Sequence, residues 1–151
     1  MSKQTIRFTL PGQIPSGKNH VGITRYGRRY PLERFVRWRR QMSAEVWKLR
    51  ANGVLPNETI RESLVACVHY HAGDLIRRDA PGMIDALFHL LEHTAIIADD
   101  YQIQTVCWIF VGLDRENPKV EIELIFSDGG GSHGNGGCAH RNPQVDEGLH
   151  K

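Results

Sequence analysis

RRDAPGMIDALFHLLEHTAIIADDYQI, residues 77–103, is the stretch that decides the fold. Its apolar residues recur at spacings of three and four, which predicts a helix over residues 82–92. Apolar runs at 64–71 and 103–111 flank this helix and predict a strand on each side of it. A helix between two strands lets the chain turn back. We therefore expect Asp79 and Asp100, at the two ends of the stretch, to meet at one edge of a sheet.

Hydrophobic patterning predicts three more elements, a strand at 5–10, a helix at 31–51 and a last strand at 119–126. The turn residues 114–118 indicate that the last two strands form an antiparallel hairpin. The order β-α-β-α-β-β is typical of a single α/β (α+β) domain with a mixed sheet and two main helices. We expect this domain to occupy residues 1–127 and the glycine-rich residues 128–151 to form a flexible tail.

Composition indicates an ordinary globular protein, with 40% hydrophobic and 24% charged residues. No apolar run is long enough to span a bilayer, and the N-terminus leads directly into a strand, so we expect no membrane anchor or signal peptide. Cys67 and Cys107 lie in apolar strands, where free buried thiols are the ordinary expectation. A cytoplasmic location fits these features best.

The net charge of +2 conceals a strong asymmetry along the chain. Residues 1–50 carry twelve lysines and arginines against two acids, whereas the remaining residues carry seven against fifteen. A solvated helix face would explain some of this charge. Crowding it into fifty residues costs self-repulsion, however, and a polyanionic partner explains it better.

Carboxylates at both ends of the predicted helix suit a hard divalent cation such as Mg²⁺, which takes oxygen ligands. Arg77 and Arg78 precede the first carboxylate, Asp79, and a guanidinium matches the geometry of a phosphate. The combination indicates metal-assisted chemistry on a phosphodiester.

The order and spacing of these features resemble the RusA-like Holliday junction resolvases. The resemblance covers residues 4–126: an opening strand and Pro-rich turn followed by Asn19, a basic loop, an arginine-bearing helix, Arg-Arg-Asp at 77–79, Asp-Ala-Leu at 85–87 and Asp-Asp-x-Gln-Ile at 99–103. It implies a homodimeric endodeoxyribonuclease, typical of phages, that uses Mg²⁺ (or Mn²⁺ in its place) to cut four-way DNA junctions in recombination and repair.

The first acidic motif departs from the family pattern. Members usually read Asp-x-Asp-Asn with a lysine three residues later. This chain has Pro81 in place of the second aspartate, Gly82 in place of the asparagine and Asp85 in place of the lysine. Asp85 stands about one helical turn beyond the lost acid, so its carboxylate is able to face the same site. The resulting prediction is a rearranged metal site made of Asp79, Asp85, Asp99 and Asp100, with Asp79, Asp85, Asp100 and Arg78 as the catalytic residues.

The basic loop and the arginine-rich helix are predicted to hold the DNA backbone. The residues assigned to this role are Lys18, Asn19, Arg25, Arg28, Arg29, Arg37, Arg40 and Arg77. The lost lysine's role falls to Arg77, Arg78 or Lys18, and the sequence does not choose among them.

Three alternatives stay open at this stage. Asp79 is well placed to be only a helix N-cap, and Asp99 and Asp100 to be only turn acids. On that reading the protein is a catalytically weakened family member that binds branched DNA without cutting it. A general metal nuclease acting on flaps or single strands also fits, because the sequence does not encode the shape of a junction.

Overall fold

The structure is a computed structural model that describes residues 2–16 and 21–127. It contains six strands, two helices and one 3₁₀ turn at Asp100–Gln102. In chain order the elements are β1 (Lys3–Pro11), β2 (Val21–Ile23), β3 (Arg29–Pro31), α1 (Glu33–Ala51), β4 (Leu64–Ala72), α2 (Ala80–His93), β5 (Ile103–Leu113) and β6 (Lys119–Ser127). The predicted tail, residues 128–151, lies outside the described residues.

Four of the strands form one mixed sheet in the order β1-β6-β4-β5. β4 and β5 are parallel and are joined by α2, while β6 runs antiparallel to both β1 and β4. The predicted single α+β domain with a mixed sheet and two main helices is therefore confirmed.

The predicted hairpin of strands 103–111 and 119–126 is wrong, because β4 lies between β5 and β6. β6 buries Val120, Ile122, Leu124 and Phe126 on one face, so a central place between β1 and β4 suits it. β5 is largely exposed and lies at the edge of the sheet.

The core lies between the helices and one face of the sheet. Alternate residues of β4 and β6 are buried, as the period of two along a strand requires. α1 contributes the predicted stripe of Phe35, Trp38, Met42 and Val46. Burying these side chains removes most of their apolar surface from water, which stabilises the packing by about 1.5–3 kcal/mol for each large residue.

Local differences from the predicted elements have simple causes. α1 begins at Glu33 and not at residue 31, because Pro31 ends the short strand β3, which pairs with β2 inside the predicted loop. Cys107 is exposed and not buried, because it lies on the edge strand. Within the part of the chain that the structure describes, no helix is long and apolar enough to cross a membrane.

Candidate metal and nucleic-acid site

Asp79 is the N-cap of α2, one of the two roles that the sequence left open for it. Its carboxylate accepts a hydrogen bond from the backbone N–H of Gly82 at 3.0 Å and another from the Ser16 hydroxyl at 2.9 Å. A side chain at position 82 would place Cβ 2.4 Å from Ser16 Oγ. The close approach of Ser16 and Asp79 thus accounts for glycine at this position.

A cleft of about 460 Å³ opens beside Asp79. It lies between the segment that follows β1, the first turns of α1 and the segment that precedes α2. The charged residues in its lining are Arg34, Arg77, Arg78 and Asp79. Three cations and one carboxylate give this cleft a net positive lining.

Arg78 is held by a second carboxylate, Asp74. Its two terminal nitrogens donate to the two Asp74 oxygens at 2.8 and 3.1 Å. These hydrogen bonds, together with those from Gln13 and the backbone of Ile76, keep the pKa of Asp74 well below its usual range. Arg78 therefore fixes the segment between β4 and α2.

A second group of carboxylates lies at the other end of α2. Ligand oxygens of Glu92, Asp99 and Asp100 all lie within 4.8 Å of one another, and all three residues are exposed. Glu92 belongs to the last turn of α2, and the two aspartates precede β5. Three carboxylates at this spacing match the oxygen preference of a hard divalent cation, so these residues fit the expected metal.

Gln102 fixes the geometry of this acidic group. Its side-chain oxygen accepts hydrogen bonds from the backbone N–H groups of Ala98 and Asp99, and its side-chain nitrogen donates to the carbonyl oxygens of Ile60 and Glu62. Asp99 in turn accepts from the N–H of Tyr101, which completes a capping box. The glutamine of the Asp-Asp-x-Gln-Ile motif is thus a structural clamp.

Like charges crowd Asp100. Its pKa is raised, chiefly by desolvation and then by the neighbouring charges of Glu92, Asp99 and Asp85. Asp85 therefore acts electrostatically on the Asp100 end of α2. A bound cation would relieve this repulsion, which is a second reason why these residues fit a metal.

The predicted meeting of Asp79 and Asp100 is wrong within one chain. Glu92, which contacts the Asp100 group, follows Asp79 by thirteen positions along α2. At about 1.5 Å per helical residue the two ends lie about 20 Å apart. Among residues 2–16 and 21–127, no close group of three possible metal ligands includes Asp79 or Asp85. The assignment of these two residues to a metal stays a prediction.

The predicted DNA-binding residues fall on two exposed elements. Arg25, Arg28 and Arg29 lie on the β2–β3 hairpin, where the Arg25 guanidinium stacks 4.8 Å from the ring centre of the exposed Tyr26. Arg37 and Arg40 are exposed on α1. Arg77 lines the cleft beside Asp79. Lys18 and Asn19 lie outside the described residues.

Sequence reasoning missed several residues that build these two sites. It did not place Glu92 among the metal ligands, although Glu92 is a member of the carboxylate group. It gave no role to Ser16, Arg34 or Asp74. Ser16 bonds to Asp79, which is 63 positions away, so no local pattern pointed to it. The glutamine three residues after Asp99, in contrast, was a readable capping-box signal.

No protein-family model matches the chain, and no curated protein matches it significantly.

Proposed function

We propose that this protein is a Mg²⁺-dependent endodeoxyribonuclease that cuts four-way DNA junctions and acts as a homodimer. The observation that carries the proposal is the division of the site. A carboxylate in a basic cleft lies at one end of α2, and a group of three carboxylates lies at the other. A phosphodiester hydrolase needs positive charge to bind the phosphate and carboxylates to hold the metal. A second copy of the chain would bring the two halves together into one site.

The exposed edge of β5 supports a dimer. The strand has eleven residues and none is charged, although natural edge strands are usually protected by charges, prolines or covering elements. Its exposed apolar residues are Val106, Ile109, Phe110, Val111 and Leu113, and Phe110 is the most exposed of these five, at 62%. Exposed apolar side chains on both faces of this strand, beside the unpaired backbone groups of its edge, are what a second copy of the strand would cover.

Strand directions explain how a second copy would join the two halves. β5 is parallel to β4, so Asp99 and Asp100 lie at the edge where both strands begin, and Asp79 follows the edge where they end. If β5 of a second copy paired antiparallel to it about a two-fold axis, the beginning of that strand would lie beside the end of the first. Asp100 of the partner subunit would then approach Asp79.

The two dimer sites would each contain residues of both chains. Glu92, Asp99 and Asp100 of one chain would hold the metal, with Asp79 of the other chain completing its ligands and Asp85 adding negative charge nearby. Bound Mg²⁺ would supply Lewis-acid activation of the scissile phosphate and of the attacking water. Arg77, which lines the cleft beside Asp79, would stabilise charge on the phosphoryl oxygens. Two such sites account for symmetric cutting of two strands.

Basic residues outside these sites would hold the arms of the junction. The β2–β3 hairpin projects Arg25, Arg28 and Arg29, and α1 presents Arg37 and Arg40. Contacts of this kind bind backbone phosphates and position the DNA without reading its bases.

Cleavage of a synthetic mobile four-way junction tests the proposal. Purified protein in Mg²⁺ or Mn²⁺ should introduce paired symmetric nicks, and Asp100→Asn should bind the same junction without cutting it. A linear duplex and a flap of the same sequence separate junction specificity from general nuclease activity. Absence of cleavage of any of these substrates in both metals would contradict the proposal.

One observation favours a second candidate, a module that binds branched DNA without cutting it. Both oxygens of Asp79 already accept protein hydrogen bonds, as expected of a structural cap. This candidate predicts tight junction binding that is independent of metal and unchanged in Asp79→Asn and Asp100→Asn. The same cleavage and binding assays distinguish the two.

A further inference from the structure

The cleft beside Asp79 is lined by two arginines that form no ion pair among the residues that the structure describes. Arg34 comes from the first turn of α1, and Arg77 from the segment before α2, so the two cations reach one cleft from separate elements. Among the residues that the structure describes, neither side chain makes a hydrogen bond or an ion pair. Both are exposed.

Arg78, which also lines this cleft, differs from them. Its guanidinium is held at both ends by Asp74 and donates further to the carbonyl oxygen of Ile76. Only 21% of its side chain is exposed. A phosphate could form the two parallel hydrogen bonds with this guanidinium only by displacing Asp74. The negative charge of Asp74 would also repel the phosphate.

Two unpartnered guanidinium groups over a cleft of this size fit one phosphate between them. Each fork can donate two parallel hydrogen bonds to phosphate oxygens, and two like charges that line one cleft are stabilised by a shared anion. The cleft volume of about 460 Å³ leaves room for the sugar attached to that phosphate.

We propose that Arg34 and Arg77, which both line the cleft beside Asp79, bind one backbone phosphate of the DNA strand, and that Arg78 positions the segment that carries Arg77 without touching DNA. The inference rests on the proposed function and deepens it, since it selects the phosphate-binding arginines and adds Arg34 to them. Arg34 and Arg77 thereby hold the strand against the carboxylate that caps α2.

The salt dependence of DNA binding tests this assignment without requiring catalysis. A fluorescently labelled four-way junction is titrated with protein in EDTA over a series of KCl concentrations, and fluorescence anisotropy gives the binding constant. Arg34→Ala and Arg77→Ala should each weaken binding and reduce the slope of log K against log[KCl] by about one, because one phosphate contact is lost. Arg34→Lys and Arg77→Lys should keep the slope but bind several-fold more weakly, since the charge remains and the fork is lost.

Two controls separate this role from general charge and from folding. Arg7→Ala removes one exposed cation from the sheet face opposite the helices, and should change neither affinity nor slope. Arg78→Ala should lower the melting temperature and leave the slope unchanged. Thermal melts followed by circular dichroism check folding, and the Arg34 and Arg77 variants should melt as the wild type does.

The outcomes distinguish this inference from the function on which it rests. Wild-type protein that fails to bind any junction would overturn the proposed function and the cleft with it. Wild-type protein that binds while Arg34→Ala and Arg77→Ala keep its slope would overturn the cleft alone. A slope reduced equally by Arg78→Ala in a normally folded protein would overturn the division of roles between Arg77 and Arg78.

Discussion

Asp79 caps the start of α2, whereas Asp100 lies beside Glu92, a residue of the last turn, so the two aspartates lie at opposite ends of this helix. Asp79 caps the first turn beside a basic cleft, and Asp100 joins Glu92 and Asp99 beside the last turn. One chain therefore carries two separate groups of charged residues, which we propose are the two halves of one site. The parallel pairing of β4 and β5 causes this separation, because parallel strands begin at one edge of the sheet and end at the other.

Asp100→Asn is expected to stabilise the metal-free protein at neutral pH. The pKa of Asp100 is raised in the folded state, so its ionised form opposes folding. The gain should be below about 1 kcal/mol, because the residue is exposed. It should shrink as the pH falls through the raised pKa and vanish below the ordinary value of 3.8. Thermal melts in EDTA from pH 3 to pH 7 measure it.

In the presence of Mg²⁺ we expect the wild type to be more stable than Asp100→Asn. Metal that binds only the folded protein raises its melting temperature, and it should do so more for the wild type than for Asp100→Asn. Equal metal-induced shifts in the two proteins would show that Asp100 holds no cation.

Gln102→Ala should loosen the acidic group without removing any acid. The substitution deletes two hydrogen bonds accepted from Ala98 and Asp99 and two donated to Ile60 and Glu62. We expect a loss of about 2 kcal/mol in the free energy of unfolding and a several-fold weaker response to Mg²⁺. Urea denaturation and metal titration measure the two effects.

Gln104→Ala provides the matched control for this change. Its side chain is exposed and donates one hydrogen bond, to the Tyr101 carbonyl oxygen, so stability should change by less than about 0.5 kcal/mol. Similar losses in the two variants would argue against a clamp at Gln102.

Gly82→Ala is expected to destabilise α2, although alanine is favoured over glycine inside a helix by about 1 kcal/mol. The added Cβ would lie 2.4 Å from Ser16 Oγ and 2.9 Å from Asp79 Oδ2, so the cap must move. Ser16→Ala removes the closest atom, and the double variant should be more stable than the sum of the single effects predicts. A more stable Gly82→Ala protein would contradict this account of the glycine.

Phe110→Asp should convert the proposed homodimer into a folded monomer. Phe110 is largely exposed in a single chain, so its loss should leave the melting temperature of the monomer nearly unchanged. Two unpaired carboxylates brought to a two-fold interface should weaken association by more than about 100-fold. Sedimentation velocity measures the change, with Val54→Asp, on the loop after α1, as the control. An unchanged sedimentation coefficient would exclude β5 from the interface.

The sequence predicted the helices and strands well, but it predicted less well which strands lie side by side in the sheet. The stripes of α1 and α2 and the alternation in β6 have strong periodicity, which local pattern can detect. The pairing of β6 with β1 and β4 depends on which strand needs two neighbours, and a turn signal at 114–118 does not carry that information. Arg78 looked like a free cation because its partner Asp74 lies in a loop without a recognisable motif.

Subunit complementation tests the central claim most directly. The Asp79→Asn and Asp100→Asn proteins are mixed, unfolded and refolded together. The mixture is then assayed on a four-way junction in Mg²⁺, beside each variant alone and the wild type. A heterodimer would contain one site with neither substitution, so the account predicts nicking of one strand by the mixture and by neither variant alone. A mixture as inactive as its components, beside an active wild type and with heterodimer present, would contradict a site shared between two chains.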